Sequence, residues 1–531
     1  MKKNYKKNNI NIFKKTIYLF MIFSFFLSST PYGLFEYSFS ILRDKNIVDQ
    51  MWLAENSHNL VDKMFTKEAS AAEVTVNLAT TDTTDEFGPS PTVVFTTNQV
   101  GYSFFVDAGN DLVYTKTTNG GTNWATPVII ENTLTGWTNV SVWYDRWTPG
   151  DDTGTRIHIG AADISTGDAY YTYLDTNGDV LKGSVLSVIP QTTFTAEVNA
   201  APSITKGSNG DLFLTANFAT TAGGYVYKSS DGNGNTWANI TPSGWSNVSI
   251  DQIQLLPLKT DSDLIAIKAE TSSNLIRYQI YDEVLNSWTG SWTTIASMTE
   301  NTTYDQWFSA SLKKSSGDIY LTFANFTANV ANDIEFWSFS DSTRVFTKKT
   351  DVRQNSNQFL SPVPFVEEET GNIYVAYAEG QTNFVYNGMG INTSTYIYYH
   401  MSSDGGETWS TRQGELNDNI GDDYKTLRGN LNSVGSGRLF VSYYDDDDNN
   451  IYGTTINNLS IPVEANIDTN IIDATDEYGP SPSGVFLDED IGYQFYVRTN
   501  NILDATDEYG PSPSVVFTDT NTGYVFFIDS P

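Results

Sequence analysis

Residues 372–379 read NIYVAYAE, and a word of the same build returns six more times along the chain. The others are GYSFFVDA (101–108), RIHIGAAD (156–163), DLFLTANF (211–218), DLIAIKAE (263–270), DIYLTFAN (318–325) and RLFVSYYD (438–445). Their first residues stand roughly 55 positions apart, with a wider last gap. A fixed period of that size marks a repeat architecture and takes precedence over single elements.

A second word follows each first one: an aromatic-rich strand that ends in Asp or Asn. These strands close at Asn119, Asp175, Asp231, Asp282, Asp341, Asp404 and Asn457. Three run on into Gly and Trp, as NGGTNW (119–124), DGNGNTW (231–237) and DGGETW (404–409). An Asx side chain bonds backbone N–H groups just ahead of it, and Gly takes positive φ without a steric penalty. The Trp then offers a large apolar face to the core. A further strand precedes each first word, as in SPTVVF (90–95), APSITK (201–206) and SPVPFV (361–366). Four strands per period, here named A to D outward, predict an all-β chain folded as a β-propeller. The count gives seven four-stranded blades, or six if one period falls outside the ring.

Ser402 to Trp409 (SSDGGETW) resembles the Asp-box, or BNR, motif. Its elements here are Asp404, Gly406 and Trp409, with weaker versions at Asn119–Trp124 and Asp231–Trp237. That resemblance implies the sialidase-like propeller superfamily and implies that these turns are structural. It also raises a sialidase reading, in which three arginines grip a substrate carboxylate and a Tyr–Glu pair with an Asp performs the chemistry. Only Arg353 and Arg428 fall on D–A connections or early A strands. Tyr304 beside Asp305, and Tyr424 beside Asp422 and Asp423, are the nucleophile candidates.

The favoured reading is a recognition module for glycan or protein outside the cell, with exo-sialidase-type hydrolysis as the alternative. Tyr304, Trp307, Phe359, Tyr424 and Glu379 are its ligand-binding candidates, on the face shared by D–A and B–C connections. The longest B–C connection follows Glu379 and is a candidate binding loop. B strands end in Asp107, Asp163, Asn217, Glu270, Asn325, Glu379 and Asp445, either a carboxylate ring for Ca²⁺ or polar capping of strand ends. Asp445, Asp446 and Asp447 are the densest acidic run and the metal candidates, although such runs are commonly just solvated. No other cofactor is implied.

Composition narrows the classes further. Thirty Lys plus Arg against 63 Asp plus Glu leave a net charge of −33, which repels nucleic acid and anionic membranes. The chain has no cysteine, so thiolate metal sites and Cys nucleophiles are excluded. Lys2 to Lys15 and the apolar run 16–29 read as an export signal or signal anchor over residues 1–42. Residues 43–73 read as a helical pro-segment or stalk, 74–465 as the propeller, and 466–531 as tandem 31-residue hairpin repeats of an incomplete array. The protein is expected to be secreted or on the cell surface, and monomeric. Asn139, Asn247, Asn301, Asn325 and Asn392 head N-x-S/T sequons.

Overall fold

A computed structural model describes residues 74–77, 89–190, 201–218, 223–242, 245, 252–270, 273–298, 308–327, 330–355, 358–380, 395–413, 416, 424–434, 438–445 and 450–456. It also describes strands at 483–488, 491–495, 514–519 and 522–526. The export-signal and stalk segments, Tyr304, Asp305, Trp307, Asp422, Asp423, Asp446 and Asp447 lie outside these residues.

The first described strand, β1 (Val74–Asn77), belongs to the last blade and is taken up below. Blade 1 comprises β2 (Val93–Phe95), β3 (Gly101–Val106), β4 (Leu112–Thr117) and β5 (Val128–Glu131). Blade 2 comprises β6 (Trp137–Tyr144), β7 (Arg156–Asp163), β8 (Asp168–Asp175) and an outer edge split into β9 (Val180–Leu181) and β10 (Leu186–Ile189). Blade 3 is β11 (Pro202–Lys206), β12 (Leu212–Phe218), β13 (Gly223–Ser229) and β14 (Ala238–Asn239). Blade 4 is β15 (Gln252–Pro257), β16 (Leu264–Glu270), β17 (Leu275–Asp282) and β18 (Ser287–Ser297).

Blade 5 runs β19 (Ser309–Leu312), β20 (Ile319–Thr327), β21 (Val330–Ser340) and β22 (Val345–Lys348), with β23 (Arg353–Asn355) also on β21. Blade 6 is β24 (Gln358–Val366), β25 (Ile373–Gly380) and β26 (Thr395–Ser402). Its fourth strand is reduced to backbone bonds from Ser410, Gln413 and Leu416 to Met401, Tyr399 and Ile397. Blade 7 is β27 (Tyr424–Gly429), β28 (Phe440–Asp445) and β29 (Asn450–Thr455), completed by β1. The inner strands touch in the order β2, β6, β11, β15, β19, β24, β27 and back to β2. Residues 74–456 form an all-β, seven-bladed propeller, with almost no helix among the described residues.

The periodic words are the B strands, and their hydrophobicity has a physical cause. Each blade packs on two neighbours, so both faces of a B strand are covered. β16, for example, is buried at every residue from Leu264 to Glu270. Its sequence therefore reads as a near-continuous apolar run without alternation.

The three Asx–Gly–Trp turns fasten one blade to the one before it. Asp404 Oδ1 accepts from Thr408 N at 2.9 Å, and Ser402 Oγ accepts from Gly406 N at 2.8 Å. Trp409 stands edge-on to Phe336 of blade 5, with ring centroids 5.0 Å apart, and its Nε1 donates to Thr350 O. Trp124 meets Phe440 of blade 7 at 5.6 Å, and Trp237 meets Tyr171 of blade 2 at 5.2 Å. As the sequence reading expected, these tryptophans turn an apolar face to the core, and these core aromatics belong to the neighbouring blade. Gly406 shows why no other residue serves: its φ is 89°, and a Cβ would strike the Phe336 ring.

A loop bridges blades at the A–B end of the propeller. The blade 2 loop after β6 carries Asp151 and Asp152, which take Lys206 of blade 3 and Lys314 of blade 5 at 2.7 and 2.6 Å. Blades 2 and 5 lie on opposite sides of the ring, so the loop spans the A–B end. Its root is the buried Asp145, which accepts from His158 Nε2 at 3.0 Å and Lys206 Nζ at 2.7 Å. Burial alone would raise the Asp145 carboxyl, yet these donors hold it well below the usual range. His158 is fully enclosed and burial pushes it down, so the imidazole is neutral, with Nδ1 accepting from Tyr171 Oη at 2.8 Å.

In the tail, β30 (Ser483–Asp488), β31 (Ile491–Phe495), β32 (Ser514–Asp519) and β33 (Thr522–Phe526) form one four-stranded sheet in sequence order. The two repeat copies thus each supply a hairpin, and the hairpins pair through β31 and β32. Among the described residues no helix is long and apolar enough to cross a membrane.

Candidate functional site

Between the outer parts of blades 5 and 6 lies an open cleft of about 460 Å³. One wall is the segment Thr350–Gln354, where the chain leaves β22 and re-pairs as β23 with β21, Arg353 opposite Ile334. Buried Val352 donates its N–H to Ile334 O at 2.9 Å and anchors this wall. The other wall is His400 on β26 with Ser410, Thr411 and Arg412 on the reduced fourth strand.

Glu379, buried near the end of β25, joins the two walls. Arg412 Nη1 donates to its Oε2 at 3.1 Å, and Arg353 Nη2 stands 3.8 Å from its Oε1. Arg412 lies over the Tyr398 ring at 4.0 Å, which fixes the plane of the guanidinium. His400 is occupied on both sides. Its Nδ1–H donates to Ser410 O at 2.8 Å, and its Nε2 accepts from Tyr377 Oη at 3.1 Å. Burial lowers the His400 pKa, so the ring is neutral. Burial also raises the Tyr377 hydroxyl, with Glu379 adding to it, so this phenol stays protonated. Neither group is placed to move a proton to or from a ligand.

Blade 4 carries the same frame with different contents. Strand registers make Glu270 the counterpart of Glu379, Lys268 of Tyr377, Arg277 of Tyr398 and Gln279 of His400. Gln279 Nε2 donates to Gly290 O as His400 donates to Ser410 O, which sets Trp292 where blade 6 has Arg412. Glu270 is again clasped by two cations, here Lys268 and, at 3.3 Å, Arg277. Burial would raise its pKa, but hydrogen bonds from Lys268 and Ser273 lower it. The space in front is filled. Trp245 stacks on Trp292 with centroids 4.8 Å apart and donates Nε1–H to Gln279 Oε1. Lys268 sits over the Trp292 ring at 4.1 Å.

The sequence candidates are distributed as follows. Glu379 and Arg353 meet at the cleft. Arg428 is buried on β27, its Nη2 donating to Asn139 Oδ1 at 3.2 Å and its Nη1 reaching Val140 O at 3.5 Å. That links the inner strands of blades 7 and 2, away from the cleft walls. The backbone of Phe359 pairs with Glu379, and that of Tyr424 with Asp445. Of these three residues, Phe359, Tyr424 and Asp445, only the backbone is described. The loop after Glu379 lies outside the described residues.

The strand-end acids that are described each have partners. Asp107 Oδ1 accepts from the N–H of Gly109 and Asp111, and Asp163 accepts from Gly136 and Thr166, so both cap turns. Among the described residues no group of His, Asp or Glu is arranged to hold a metal ion. Two sequons are engaged: Asn139 is fully buried, and Asn325 Nδ2 donates to Glu335. Sequence reading missed Arg412, whose only signal was its place just after the Trp409 turn.

No protein-family model matches the chain, and no curated protein matches it significantly. Solved structures with a similar fold include a polysaccharide lyase at 13% identity, covering 72% of this chain and 92% of that one with a TM-score of 0.41. The NanB sialidase from Streptococcus pneumoniae is 13% identical over 72% of this chain and 70% of its own, with a TM-score of 0.38. An alpha-L-arabinofuranosidase from Fusarium graminearum is 12% identical over 49% of this chain and 94% of its own, with a TM-score of 0.30. The likeness is one of propeller fold alone.

Proposed function

We propose that this chain is a recognition propeller that works outside the cell and holds a glycan or protein ligand in the cleft between blades 5 and 6. The observation that carries the reading is Arg353, a partly buried arginine that lines the cleft beside Glu379 and whose Nε is enclosed without a hydrogen-bond partner. Desolvating a guanidinium without pairing its donors is costly, so such a side chain is kept for something that arrives. The Asp-box resemblance of the turns supports kinship with the sialidase-like superfamily and does not bear on turnover.

Sialidase-type hydrolysis has less support. Arg428, one of its two candidate arginines, is spent on Asn139, and the neutral groups in the cleft are bonded to each other. The test is a glycan array probed with the full chain, run beside hydrolysis of a fluorogenic sialoside. Binding that is weakened by Arg353→Ala, with no turnover, supports recognition. Turnover abolished by the same substitution would make the protein an enzyme.

A further inference from the structure

We propose that the tail is a self-association module, in which the β33 edge of one copy of this chain pairs with the β30 edge of a second copy. This departs from the monomer expected from sequence and does not depend on the cleft. Three hairpins share one register. In blade 1, Val93, Val94 and Phe95 stand opposite Ser103, Tyr102 and Gly101. The first tail hairpin sets Gly484, Val485 and Phe486 opposite Gln494, Tyr493 and Gly492. The second sets Val515, Val516 and Phe517 opposite Val525, Tyr524 and Gly523. One hydrophobic word thus specifies one unit, down to the glycine opposite each phenylalanine.

The units differ in what takes the far edge of the second strand. β3 gives that edge to β4, with Tyr102 opposite Lys116 and Phe104 opposite Tyr114. β31 gives it to β32, the first strand of the next unit, with Tyr493, Gln494 and Phe495 opposite Val516, Val515 and Ser514. The equivalent residues of β33 are Tyr524, Val525 and Phe526, and among the described residues β33 pairs with β32 alone. At the other side of the sheet β30 pairs with β31 alone. The joint inside the tail therefore unites a second strand with a first strand, and the same two kinds of edge stand open at its two sides. Repeating the β31–β32 register sets Tyr524, Val525 and Phe526 opposite Val485, Gly484 and Ser483 of another copy.

These edges lack the devices that keep strands apart. Outer strands of the propeller are guarded: β22 carries Lys348, β14 is two residues long, and β18 is broken by register shifts. β30 (SGVFLD) and β33 (TGYVF) hold no lysine, arginine or proline. The net charge of −33 opposes contact between copies, yet the four tail strands carry only Asp488 and Asp519 of it, each at a strand end. The two edges are different surfaces of one molecule, so the contact is heterologous and runs on into rows or rings. Such an array multiplies whatever each propeller binds.

The experiment is sedimentation equilibrium of the full chain from ~1 to ~100 μM, at ~0.5 M salt so that the net charge is screened. The average mass should climb above that of one copy as the concentration rises. Val525→Lys on β33 and Gly484→Glu on β30 should each move association to at least ~10-fold higher concentration, because each leaves a lone charge in the joint. Position 484 accepts a side chain, since its counterparts are Val93 and Val515. Mixed together, the two variants should associate like the parent. The introduced lysine and glutamate then face each other across one joint, and the other joint has the parent residues on both sides. Recovery on mixing also shows that neither variant had misfolded. A single-copy mass over the whole range overturns the inference. So does association that either substitution leaves unchanged, or a mixture that stays as dissociated as its components.

Discussion

Blades 4 and 6 are built on one plan, and they diverge at the point where a ligand would sit. Each ends its B strand in a buried glutamate, Glu270 or Glu379, and each surrounds it with two cations. In blade 4 the cations are Lys268 and Arg277 of the middle strands, Trp292 lies over Lys268, and Trp245 packs on both Trp288 and Trp292. In blade 6 the cations come from the outer strand and the preceding connection, and nothing covers them among the described residues. The repeated glutamate is therefore a structural fixture, and what distinguishes a site from a core is the side chain that fills the groove beside it.

The comparison can be broken most forcefully at Trp245. Trp245→Ala should cost about 3–5 kcal/mol, because a fully buried indole leaves a cavity that its neighbours cannot close. Chemical denaturation measures this, and a loss under ~1 kcal/mol would mean that the blade 4 groove is not a packed core. Glu270→Gln comes next, at about 3 kcal/mol, since it strands the buried Lys268 without a counter-charge. The matching Glu379→Gln should cost only about 1 kcal/mol, because Arg353 and Arg412 reach solvent. Equal losses at the two glutamates would erase the distinction between the blades.

The smallest effect is on pH dependence. His400 and His158 have pKa values lowered by burial, so the folded chain binds fewer protons than the unfolded one below the ordinary histidine value of ~6.5. Their contribution is complete above that value and is lost as the pH falls through it, at up to ~1.4 kcal/mol per pH unit for each proton. His400→Gln installs the blade 4 residue Gln279, which does not titrate. It should remove one proton's worth of slope between about pH 6.5 and 5 in a melting series. An unchanged slope would show that His400 is already protonated in the native state.

The parts of this molecule that were legible in the sequence are those with local, repeated causes. B strands are enclosed on both faces in every blade, so NIYVAYAE and its relatives stand out. The Asp404 turn is legible because its hydrogen bonds and its glycine are fixed within a few residues. β1 was not legible as the outer strand of blade 7, because VTVN carries no repeat and gains its meaning only by pairing with β29 at the far end of the ring. The cleft was read in half. Glu379 was visible as one of a series, and Arg353 lay on a suitable connection, but Arg412 becomes its neighbour through strand register. Trp245 and the bridging loop were hidden for the same reason. Their partners Gln279, Lys206 and Lys314 are tens of residues away.

The pairing of β1 with β29 bears on how the protein behaves as a population of molecules. The backbone of residues 450–455 would otherwise be the outermost edge of blade 7, a row of bare amide and carbonyl groups. Such an edge recruits any strand that reaches it, including one from a second copy. A handful of residues from the start of the described chain thus acts as a seam tape. Trimming them would convert a self-contained ring into a monomer with a sticky side, and self-association would follow before the blades themselves unfold.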